Sequence, residues 1–137
     1  MNIKIRNGIV VNANGGLIVE QAWLQYDKGP MVREGNVINL GEKIQLYLVI
    51  HGWQGQGDII SIGASERLTT DEGQCFLDEA DLFARYETLP LKAVEKISLS
   101  AIVDNIDRLV DFFKVDFKIY SKMFPEQYLE GYYLFHI

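Results

Sequence analysis

Ile44-Gln45-Leu46-Tyr47-Leu48-Val49-Ile50-His51 is the stretch on which the fold reading turns. Ile44, Leu46, Leu48 and Ile50 alternate with Gln45, Tyr47, Val49 and His51, a period of two that predicts a half-buried β-strand. Gly52-Trp53-Gln54-Gly55-Gln56-Gly57-Asp58 then breaks the pattern, and Ile60, Ile62 and Ala64 resume it against Ser61, Gly63 and Ser65. Two alternating runs joined by a glycine-rich loop suggest a long-looped hairpin.

Strands extend in both directions from this pair. Upstream, Ile9-Val10-Val11 and Gly16 to Tyr26 are set off by Asn7-Gly8, Asn12 to Gly16 and Lys28-Gly29-Pro30. These turn residues tolerate the positive φ of tight connections. Downstream, Ile97 to Val103, Val115 to Tyr120 and Tyr132 to Ile137 are rich in β-formers. Two stretches change period. Apolar groups at 76, 77, 80, 83 and 84, and again at 106, 109, 110 and 113, have helical spacing and predict short helices over 76–84 and 105–113. Asp104 is placed to cap the second.

Seven or so short strands with frequent turns point to one domain, residues 1–137, built as an antiparallel β-sandwich with one or two short helical turns. Immunoglobulin-like and jelly-roll arrangements both fit. The alternative is an α+β fold with the helices covering a single sheet. The immunoglobulin hallmark, a cysteine pair around a buried tryptophan, fails because Cys75 is the only cysteine.

The 137 residues are 48% hydrophobic and 23% charged, which excludes whole-chain disorder and allows a core without covalent staples. Net charge is −6 and the 13 basic residues are scattered singly. Nucleic-acid phosphates and anionic membranes need clustered Lys and Arg, so neither is an expected partner. No apolar run has signal-peptide or membrane-spanning length. The chain reads as cytoplasmic as written, and as exported if a leader has been removed.

Four features invite a functional reading. Asp71 to Asp81 is acidic, and Asp78, Glu79 and Asp81 are candidate calcium ligands if loops bring their oxygens together. Otherwise they form the solvated face of the 76–84 segment. His51 and His136 are too few for a zinc site, and carboxylates beside Cys75 disfavour its thiolate. No nucleophile elbow or phosphate-binding glycine loop occurs, so an enzyme is not expected and no cofactor is implied. Trp53 with Gln54 and Gln56 offers an aromatic platform for a carbohydrate, unless Trp53 folds back to plug the sandwich end.

The C-terminal end stands apart, with nine of the 16 aromatic residues among the last 26 positions. Alternate strand positions face opposite ways, so these rings cannot all enter one core. Tyr120 with Tyr132 or Tyr133 is therefore expected on an outer face suited to a protein partner or a second copy of the chain. The reading is a non-catalytic interaction module that self-associates through this aromatic sheet, with carbohydrate or calcium binding as the alternative.

Overall fold

A computed structural model describes residues 2–137. The chain folds as a β-sandwich. The strands are β1 (Lys4–Ile5), β2 (Val10–Asn14), β3 (Ile18–Tyr26), β4 (Ile44–His51), β5 (Ile59–Ile60), β6 (Ile62–Thr70), β7 (Cys75–Glu79), β8 (Leu89–Pro90), β9 (Lys96–Ala101), β10 (Phe113–Ser121) and β11 (Tyr128–Phe135). One sheet has the order β1-β3-β4-β9 and the other β2-β11-β10-β6-β7, while β5 and β8 form a small ribbon of their own. All pairs are antiparallel except the two-residue β1 with β3 at one edge, so the sandwich is the antiparallel one expected, with a short parallel pair added at that edge.

The deciding stretch is β4, with Ile44, Leu46, Leu48 and Ile50 buried and the intervening residues half-buried. On the facing sheet, β10 buries Phe113, Val115, Phe117, Ile119 and Ser121. The two inner faces meet in one hydrophobic cluster that includes a stacked pair, Phe113 and Phe135, with ring centroids 5.0 Å apart. Burial of such side chains is the main stabilising term, about 1.5–3 kcal/mol each.

The long-looped hairpin is not formed. β4 lies in the four-stranded sheet and β6 in the five-stranded one, so the 52–58 loop crosses between sheets. The Asn7-Gly8 turn behaves alike. Both residues have positive φ, 58° and 64°, yet the strands they join belong to different sheets. Turn chemistry reverses the chain and leaves open which sheet receives the next strand.

Neither predicted helix exists. Residues 75–79 are β7, and a bulge opposite Leu68 and Thr69 shifts the register there. Phe76, edge-on to Phe113, and Leu77, opposite Leu68, consequently both pack on the core, so the bulge imitates helical spacing. Residues 102–112 are an irregular loop that drops Ile106 and Val110 onto the core and leaves Leu109 99% exposed. The only helical piece among the described residues is a 3-10 turn, Leu91–Val94, after Pro90. Among the described residues no helix is long and apolar enough to cross a membrane.

Candidate binding face

Alternation along its five strands builds the outer face of the five-stranded sheet. β10 sends out Lys114, Asp116, Lys118 and Tyr120, and in register with them stand Tyr132, Glu130 and Tyr128 of β11. Arg67 and Ser65 of β6 flank the other side, with Asp78 of β7 beyond Arg67 and Val10 and Asn12 of β2 beyond Tyr132 and Glu130. Ser65 and Asn12 are short, and between the longer side chains runs a trough of about 540 Å³.

The rings on this face are not free. Lys114 Nζ lies 4.6 Å from the Tyr132 ring centre and Lys118 Nζ 4.8 Å from that of Tyr128, both within cation–π range. Lys114 also meets Asp116 at 3.6 Å. Tyr120 lies over Gly63, its register partner on β6, so closely that a Cβ at Gly63 would collide with the ring. An aromatic laid across a strand glycine restores the contacts the missing side chain gives up. Arg67, Lys114 and Lys118 are matched in number by Asp78, Asp116 and Glu130, so the face carries both signs equally.

Of Tyr120 and the two alternatives beside it, Tyr132 and Tyr133, the structure places Tyr120 and Tyr132 outward and Tyr133 inward. Tyr133 is fully buried, its hydroxyl has no protein partner, and burial first and the Glu66 charge second raise its pKa. Position 133 has the parity of Leu129 and Phe135 and faces the core with them.

The remaining candidates are scattered. Trp53 is 8% exposed and folds into the sandwich end, so its ring offers no open platform. Gln54 and Gln56 are exposed, and the backbone of Gln56 closes a tight turn with Ile59. Asp78 faces the trough, whereas Glu79 pairs across the strand with Glu66 on the inner side. Asp81 accepts the backbone N–H groups of Ala64 and Phe83 and meets Lys122 Nζ at 2.7 Å. Burial pushes the Asp81 pKa up, but the Lys122 and backbone hydrogen bonds outweigh it and hold the carboxyl below its ordinary value. These three carboxylates point to different places, and no group of three His, Cys, Asp or Glu able to hold a metal occurs among the described residues. Cys75 is exposed, His51 pairs with Glu20 at 2.6 Å, and His136 Nδ1 bonds the Asp111 carbonyl.

Gln127 and Glu66 are among the buried polar groups that were not anticipated from sequence. Gln127 donates from Nε2 to the carbonyls of Gly15 and Gly52 and accepts the Gln54 N–H, tying three loops at one end of the sandwich. Glu66 is 1% exposed and neither carboxylate oxygen has a protein partner. A signal for Glu66 was present, because continuing the alternation Ile62, Ala64 by one step reaches 66 and places it with Leu68 on the core face. No protein-family model and no curated protein matches this sequence.

Proposed function

We propose that this chain is a non-catalytic interaction module that docks a second copy of itself through the outer face of the five-stranded sheet. The observation that supports this reading is the balance of charge across this outer face. A two-fold interface sets the same patch against itself, so a face of one sign would repel its own copy. Arg67, Lys114 and Lys118 interspersed with Asp78, Asp116 and Glu130 let each cation meet an anion of the partner. Tyr132 and Tyr128, half-buried beneath lysine stems, add amphipathic area of the kind interfaces favour.

Sedimentation velocity across micromolar to submillimolar concentration tests it. Self-association is expected in the wild type and should be lost in Lys118→Glu, which creates a run of like charges beside Asp116 and Glu130. Denaturant stability should change by less than about 0.5 kcal/mol, as surface substitutions usually do. A wild type monomeric throughout the range, or a variant that associates as tightly, overturns the proposal.

A further inference from the structure

The inner side of β6 and β7, where they face the edge of the other sheet, carries a different kind of site. Edge strands β7 and β9 belong to opposite sheets and do not pair, and between them lies a cleft of about 370 Å³. Its walls are apolar where Phe76, Leu82 and Ile102 line it. Its charged groups are Glu66, Glu79 and Asp104 against Lys43 alone. Glu66 belongs to the inner wall, almost wholly excluded from solvent, with both oxygens lacking a protein hydrogen-bond donor. A buried carboxyl without a donor costs free energy, and the protein supplies none although Lys43 stands on the same cleft.

We infer that this cleft binds a primary ammonium group carried on an apolar stem, with the stem along Phe76, Leu82 and Ile102 and the ammonium at Glu66 and Glu79. An ammonium is compact, offers three donors and satisfies two carboxylates at once. Glu66 and Glu79 are direct cross-strand partners, so their side chains leave β6 and β7 on the same face. Two carboxyls so placed disfavour ionisation of both unless a cation lies between them.

The charge state agrees. Burial above all, with the Glu79 charge second, raises the Glu66 pKa from 4.5 to about 8. The groups facing it from the packed elements are Glu79 on β7, Tyr133 on β11, and Lys43 and Asp104 at the cleft rim. An arriving ammonium favours the ionised carboxylate, so binding at neutral pH should expel the Glu66 proton into the buffer.

The probes are pentylamine, 1-pentanol and pentanoate, which share a stem and differ in the head. Titration calorimetry should show pentylamine binding at least about tenfold tighter than pentanol, the margin a charge-assisted hydrogen bond provides, and pentanoate not binding. Heats measured in buffers of different ionisation enthalpy should report proton release on binding of the amine. Glu66→Gln should lose the amine's advantage and the proton release together. Should that variant fail to fold, Glu79→Gln at the exposed rim serves, with an expected loss of roughly threefold or more. A lysine-containing peptide set against its norleucine counterpart distinguishes the source: preference for lysine assigns the ammonium to a polypeptide side chain, and binding of pentylamine alone assigns it to a free amine. No binding of any amine, equal affinity for pentanol, or unchanged binding in the folded variants overturns the inference.

Discussion

Gln127 and Glu66 are both buried in the sandwich and are treated in opposite ways. Gln127, 1% exposed, precedes β11 and is bonded at both amide atoms to backbone groups of two other loops. Glu66, equally buried on β6, is bonded to nothing in the protein. Both break an apolar interior, but one joins the fold together and the other strains it. A buried polar group that is satisfied reads as structure, and one that is unsatisfied calls for another explanation.

The comparison breaks most readily at Gln127. Gly52 has a φ of +104°, and a Cβ there would lie 2.5 Å from the Gly16 carbonyl oxygen, so the loops meet backbone to backbone with Gln127 as their clasp. Gln127→Ala leaves two carbonyls and one N–H without partners and should destabilise by about 3–5 kcal/mol. A urea melt measures it. A loss under about 1 kcal/mol would show that water replaces the amide, as it does at exposed sites.

Removing the carboxyl from Glu66 should act with the opposite sign. Leucine has nearly the same volume and needs no donor, so Glu66→Leu is expected to stabilise by about 1–3 kcal/mol at neutral pH. Destabilisation on the scale of Gln127→Ala would mean that the carboxyl is satisfied after all and that the contrast is false. A gain in stability with a loss of amine binding is the trade expected of a group kept for function.

How legible these features were from sequence depended on how local their causes are. Alternation is local, so β4 and β10 were readable from their own residues, as was the outward setting of Tyr120. Tyr133 needed only the parity of its strand, which Leu129 and Phe135 supply. The cross-sheet course of the 52–58 loop was not readable, since nothing in Gly52 to Asp58 says which sheet comes next. The 76–84 segment misled because a bulge puts consecutive apolar residues on one side. Gln127 was hidden for a stronger reason: its partners stand 75 and 112 residues away in sequence. Asn7 and Asn36 were hidden likewise, joined by a 3.0 Å side-chain bond near the opposite end of β11, where Asn36 also reaches the Leu134 carbonyl. For Glu66 the local signal existed and pointed inward against the residue's chemistry.

The finest test of the comparison is pH, because only one of the two groups titrates. The Glu66 pKa is near 8 in the folded protein and near its ordinary 4.5 in the unfolded chain. Below 4.5 the proton is bound in both states and the group contributes no pH dependence. Between the two values the folded protein keeps a proton that the unfolded chain has released, so rising pH favours unfolding. The slope approaches about 1.4 kcal/mol per pH unit at most, and water entering the cleft would lessen it. Above 8 both states are ionised and the loss is complete. Asp81, held below its ordinary pKa, acts the other way and only in acid, losing its contribution as pH falls through that lowered range. Denaturant melts of wild type and Glu66→Gln between these limits isolate the single carboxyl, since every other group is shared. The wild type should lose stability relative to the variant as pH rises from the acid end, and Gln127→Ala should run parallel to the wild type, displaced but no steeper. Curves for wild type and Glu66→Gln that stay parallel would mean the carboxyl ionises as it does in water, and with that the distinction between the two buried groups would fail.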